Sequence, residues 1–134
     1  MRAAPILAPN RGADEAILAF ASPEPAIDLV HLARQTDRDE ALEGALLALF
    51  DRQCADLAER LADADLTERT RADIAHRLRG SALAIGAARV ATAAQVLERA
   101  TESCPRVARD LTRAIHELAV AVAEARAAIA DLRD

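Results

Sequence analysis

Residues 75–86 read Ala75-His76-Arg77-Leu78-Arg79-Gly80-Ser81-Ala82-Leu83-Ala84-Ile85-Gly86. Ile74, Leu78, Ala82 and Ile85 recur at helical spacing, which predicts an amphipathic helix with its apolar stripe on a core and its stop at Gly86. Turning about 100° per residue away from that stripe carries His76 roughly 160° from its mean direction. The imidazole is therefore expected on the outer or groove-facing side. Ala72 and Gly80, four residues either way, flank it with almost no side chain, while Arg79 and Leu83 lie one and two turns on along the same side. A glycine inside a helix costs about 1 kcal/mol relative to alanine. Bare backbone beside an outward histidine has a use if a second protein must approach the ring closely. Arg79, with Arg77 nearby, offers positive charge where a phosphoryl group on His76 would lie. Between Thr67 and Val90 the chain carries Arg69, Arg71, Arg77, Arg79 and Arg89 against Glu68 and Asp73, a locally basic band in an acidic protein.

The rest of the chain supports an all-α reading. Its 134 residues suffice for one domain. About a quarter of them are Ala, only four are Gly, and the aromatic rings reduce to two Phe with no Tyr or Trp. Extended sheets favour β-branched and aromatic side chains, so this composition argues against an all-β fold. A formal net charge of -5 argues against a nucleic-acid binder that relies on a basic face, and no aromatic platform exists for single strands. Apolar runs are short and broken by charges, so no membrane span is expected. Met1 to Gly12 has no apolar signal core. Cys54 and Cys104 could form at most one disulfide, and a reduced, cytoplasmic protein is expected. Every basic residue is Arg, which we read as compositional bias.

Residues 1–24 are expected to form a flexible N-terminal segment with room for a short helix over Asp14 to Ala21, closed by Ser22-Pro23-Glu24-Pro25. A helix from about Pro25 to Gln35 follows. Asp37 with Glu40 suggests a capping box for a long helix to about Asp63, with Leu42, Leu46, Leu49, Phe50, Leu57 and Leu61 as its stripe and Cys54 on it as a buried, inert thiol. Asp65 with Glu68 suggests the next cap, before the His76 helix. A fourth helix carries Val90, Ala94 and Leu97 and ends near Thr101. Ser103-Cys104-Pro105 restarts the chain into a last helix, with Leu111, Ile115, Leu118, Val122, Ala125, Ile129 and Leu132 in heptad-like sequence. The expected architecture is an antiparallel up-down four-helix bundle over residues 25–134, with an additional N-terminal helix covering one end or one groove.

The run His76, Leu78, Arg79, Gly80, Ser81, Ala82, Ile85, Gly86 resembles the signature of histidine-containing phosphotransfer (HPt) domains, His-x-Leu-(Lys/Arg)-Gly-Ser-Ala-x-x-Ile-Gly. Val90, Ala94 and the Leu97-Glu98 pair follow at the family's usual distances, and the resemblance extends over roughly Ile27 to Leu132. It implies a four-helix bundle in which His76, on its Nε2, takes a phosphoryl group from a receiver-domain aspartate and passes it to another. Glu98 falls where the family often places Glu or Gln near the imidazole to orient its other nitrogen. Arg79 stands where Lys is usual, and Leu83 is bulkier than the small residue common there. Ala72, Gly80 and Leu83 would form the docking surface. The expected partners are receiver domains of response regulators or a hybrid histidine kinase. The chain would need no cofactor of its own, since Mg²⁺ belongs to the receiver. A monomer is expected.

The residues support that chemistry on their own terms. Neutral imidazole is a nucleophile near pH 7. Phosphoryl transfer asks mainly for in-line positioning and charge stabilisation. No Gly-rich phosphate loop is present, which reads as a carrier and not as an enzyme with its own ATP site. The blander alternatives are a solvated His76, an ordinary surface Arg79, a Gly80 that serves tight packing, and a surface Glu98. The alternative function is a helical protein–protein interaction module that uses the same surface to hold a partner without phosphotransfer. His31 and His116 are expected to be structural or solvated. No spacing of His and Cys suggests a metal site.

Overall fold

The computed structural model describes residues 25–103 and 107–133. The expectations for residues 1–24, including the helix over Asp14 to Ala21, and for the restart at Cys104 and Pro105 lie outside them. Five helices follow in order: α1 (Leu29–Gln35), α2 (Glu40–Leu61), α3 (Glu68–Ile85), α4 (Ala88–Glu102) and α5 (Ala108–Arg133). Among the described residues there is no strand. Helices α2 to α5 pack each on its chain neighbour, and α2 closes the ring against α5, which makes a four-helix bundle. Short α1 rests on α2 and α3 at one end. The all-α bundle with an extra N-terminal helix is the fold that the periodicity predicts.

The helix starts differ from expectation, for a local reason. Asp37 and Arg38 hold φ of 52° and 64°, left-handed backbone that cannot begin a right-handed helix. The cap therefore moves to Asp39, whose carboxylate accepts the Leu42 amide at 3.1 Å. The next start moves as well. Asp63 Oδ1 accepts the Asp65 amide at 2.9 Å and winds that residue into a turn. Thr67 then caps α3 by accepting the Thr70 amide at 3.1 Å. The first helix begins at Leu29, not near Pro25, because Asp28 takes the cap and accepts the His31 amide.

The core is a chain of aliphatic side chains around one aromatic ring. Phe50, Leu32, Ile74, Leu78, Leu97, Leu118 and Ile129 are fully buried, and Cys54 lies among them. On α2 the buried stripe is Leu47, Phe50, Cys54, Leu57 and Leu61. Leu42 and Leu49 were expected on it but stand exposed, because their spacing places them about 100° to one side of the buried residues. On α5 Leu118, Val122, Ala125 and Ile129 are buried, whereas Leu111 and Ile115 are partly buried against the core and Leu132 is exposed.

Gly86 joins α1 to the bundle. It ends α3 with φ of 90°, a left-handed cap that only glycine adopts cheaply. Its carbonyl accepts the Asp28 amide at 2.9 Å. A Cβ at this position would stand 3.0 Å from the Asp28 carbonyl oxygen, so the missing side chain lets α1 close onto α3.

Candidate functional site

His76 lies at the middle of α3, on the side turned away from Ile74, Leu78 and Ala82. Its side chain is 73% exposed although its neighbour Ala75 is sealed in the core. One turn of chemistry is fixed by α4. Glu98 Oε2 lies 3.2 Å from the His76 Nδ1, and the Glu98 side chain is only 18% exposed. With the carboxylate ionised, Nδ1 carries the hydrogen and donates it, which leaves Nε2 with a free lone pair. Among the described residues Nε2 has no hydrogen-bond partner. The other carboxylate oxygen, Glu98 Oε1, is buried without a hydrogen bond. Among the described residues the imidazole is thus the one hydrogen-bond partner of a largely covered Glu98 carboxylate.

Helix register brings the other residues into place. Ala72, half-buried, and Leu83, 53% exposed, lie on the His76 side of α3 that leans toward α4. Arg79 is half-buried one turn beyond His76. Gly80 is exposed, and a Cβ built on it meets nothing within 4 Å. Tight packing among the described residues therefore does not explain this glycine. Arg77, one residue past His76, turns to the opposite flank, where it lines a groove of about 940 Å³ with Leu49, Gln53 and Arg60 of α2. The structure thus puts Arg77 on the α2 side of the ridge and Glu98 on the α4 side.

The basic band is thinner in space than in sequence. Arg71 points inward, 8% exposed, with its Nη2 donating to the Asp63 carbonyl at 3.4 Å. Arg89 pairs with Glu124 of α5 at 3.4 Å. Arg69, Arg77 and Arg79 remain for the outer face of α3. Helical spacing already sets Arg71 apart, since it shares the core stripe's direction, but it cannot set Arg89 apart, which lies past the end of α3. His31 is half-buried beside Gln35, and His116 is exposed. Among the described residues no three His, Cys, Asp or Glu side chains cluster as a metal site would require.

Sequence reasoning passed over one residue that supports this site. Thr101 is buried, and its hydroxyl donates to the Glu98 carbonyl at 2.6 Å, fixing the last turn of α4 below the carboxylate. Its position one turn beyond Glu98 was the available signal.

Among solved structures, the chain is similar to a rice protein provisionally described as a histidine-containing phosphotransfer protein and known from an X-ray structure. The TM-score is 0.50 at 17% identity, covering 98% of this chain and 89% of the rice chain. The chain has the HPt fold. No family model and no curated protein matches the sequence. At this identity the likeness establishes the HPt fold and leaves the chemistry to the residues around His76. No described helix is long and apolar enough to cross a membrane.

Proposed function

We propose that this chain is a phosphoryl carrier in a two-component phosphorelay, with His76 as the residue that takes and gives up the group. The observation that carries the proposal is the pairing of His76 Nδ1 with Glu98 at 3.2 Å on an imidazole whose side chain is 73% exposed. One nitrogen is held and the other is open to a partner. The HPt fold supports the same reading.

The chemistry balances with few parts. The Nε2 lone pair attacks the phosphorus of a receiver's aspartyl phosphate, the N–P bond forms, and the P–O bond to the aspartate breaks and leaves it as a carboxylate. The ring then carries positive charge, which the Glu98 carboxylate faces across the Nδ1–H. Reversal of the same steps delivers the group to a second receiver. In-line geometry and the Mg²⁺ that stabilises the transferring group belong to the receiver. Arg79 lies on the ring's side of α3, where its guanidinium can approach the phosphoryl oxygens. Ala72, Gly80 and Leu83 give the receiver a low, partly apolar landing surface, and Gly80 leaves room on it.

Incubation of the purified protein with phosphorylated receiver domains tests the proposal. An acid-labile, alkali-stable phosphate mapping to His76 is expected. His76→Gln should abolish acceptance while shifting stability by no more than about 0.5 kcal/mol, since the side chain lies outside the core. Acceptance persisting in that variant would remove His76 from the role. Receiver binding without any phosphate on the wild-type chain would instead make this a protein–protein interaction module.

A further inference from the structure

We propose that the outer face of α1 is covered by this chain's own N-terminal segment, residues 14–20, which seats its apolar side chains on Leu29 and Val30. Leu32 of α1, and Ile27 just before its cap, are buried, yet α1 leaves Leu29 46% and Val30 63% exposed. These two adjacent side chains, with Ala33, form the floor of a concavity of about 340 Å³ rimmed by Arg34 and Arg38. A seven-residue helix cannot hold itself together in water, so its outer face gains from a cover. Exposed apolar side chains that are contiguous and bordered by charge mark a contact surface.

The occupant follows from what the chain carries immediately upstream. Residues 14–20 read Asp14-Glu15-Ala16-Ile17-Leu18-Ala19-Phe20, an acidic pair followed by three large apolar side chains. The patch offers the complement, an apolar floor with two guanidinium groups at its edge. Eight residues separate Phe20 from Leu29, a tether that spans at most roughly 30 Å and holds the segment at an effective concentration in the millimolar range. A contact too weak to form between separate molecules forms readily under that constraint. Burial of the Ile17, Leu18 and Phe20 side chains offsets the ordering of the few residues that carry them.

The 134-residue chain tests this in solution by NMR. Phe20 and Phe50 are the only Phe rings, and Tyr and Trp are absent, so Phe20 contacts can be assigned without overlap. We expect nuclear Overhauser contacts between the Phe20 ring and the Leu29 and Val30 methyls. Val30→Asp, at an exposed position, should abolish them and raise amide exchange over residues 15–20 about tenfold. Phe20→Ser should do the same without touching the bundle. Absence of these contacts in the wild-type protein, or exchange unchanged by both variants, would overturn the proposal. Contacts seen only between differently labelled copies in a mixed sample would also overturn it and assign the patch to a second copy. None of these readouts involves phosphoryl transfer, so they stand or fall apart from the role of His76.

Discussion

Glu98 on α4 and His76 on α3 stand 22 positions apart in the chain and meet at 3.2 Å, the carboxylate largely covered and the imidazole largely open. The asymmetry decides what each can do. A covered carboxylate with one unsatisfied oxygen holds its single hydrogen bond firmly, because water competes poorly for it. An open imidazole keeps its second nitrogen for a partner.

The first prediction follows from that asymmetry. Glu98→Ala removes the acceptor from Nδ1, and the ring then samples both tautomers and more than one rotamer. Nitrogen chemical shifts of His76 should move from the Nδ1–H pattern toward a mixture, and transfer from a phosphorylated receiver should slow by about tenfold, equivalent to roughly 1.4 kcal/mol. Glu98→Gln keeps an acceptor but no charge and should retain the tautomer while losing part of the rate. Identical nitrogen shifts in wild type and Glu98→Ala would show that the carboxylate does not set the tautomer.

The two glycines of α3 should respond in opposite directions to the same substitution. At Gly80 a methyl meets open space in a helix interior, so Gly80→Ala should stabilise the protein by about 0.5–1 kcal/mol, raising Tm by a few degrees. At Gly86 the left-handed backbone and the 3.0 Å approach to the Asp28 carbonyl both oppose a Cβ. Gly86→Ala should cost about 1–3 kcal/mol. Melting curves by far-UV circular dichroism give both signs. A Gly80→Ala protein no more stable than wild type would mean that the bare backbone already serves the fold. Gly80→Gln, with its longer side chain, should slow transfer from receivers even where the bundle is unharmed.

Much of this was legible in the sequence because it depended on helical period alone. The stripe of Ile74, Leu78, Ala82 and Ile85 fixed α3's inner face and so sent His76 outward, and Gly86 marked its end. The caps were less legible. Asp37, Asp39, Asp63, Asp65 and Thr67 all have capping side chains, and the choice among them rested on the left-handed turn at Asp37 and Arg38, which no local pattern announces. Residues at the edge of a stripe were also ambiguous: Leu49 and Leu47 differ by two positions, and only the placement of α3 decides which is covered. The helix that Arg77 faces depends likewise on where the neighbours lie, whereas the inward turn of Arg71 follows from its place on the stripe.

Arg71 yields a third prediction. It is buried on the core side of α3, its Nε has no hydrogen-bond partner among the described residues, and its Nη2 reaches only a carbonyl at 3.4 Å. A buried charge so poorly compensated stabilises little, and an apolar side chain of similar length can replace it without loss. Arg71→Met should leave stability unchanged or raise it by about 1 kcal/mol in urea unfolding. A loss above about 2 kcal/mol would show that the guanidinium holds the end of α2 more strongly than its geometry implies.

The fourth prediction uses the absence of lysine and tyrosine. Burial, and after it the nearby Asp51 carboxylate, pushes the Cys54 thiol up from 9.0 to about 12, with Arg126 offsetting part of the shift. Above pH 9 the unfolded chain releases this proton while the folded chain keeps it, so the unfolded state binds fewer protons and stability falls as pH rises, until about pH 12. The slope is at most about 1.4 kcal/mol per pH unit. In most proteins lysines and tyrosines titrate through this window and obscure such an effect, but here neither is present and Arg stays charged. The remaining thiol is removed by working in a Cys104→Ser background. Urea unfolding followed by circular dichroism between pH 9 and 11 should show a decline that Cys54→Ala flattens, whatever that variant's cavity costs at neutral pH. Equal slopes in the two proteins would mean that the thiol ionises as readily folded as unfolded, and would overturn the prediction.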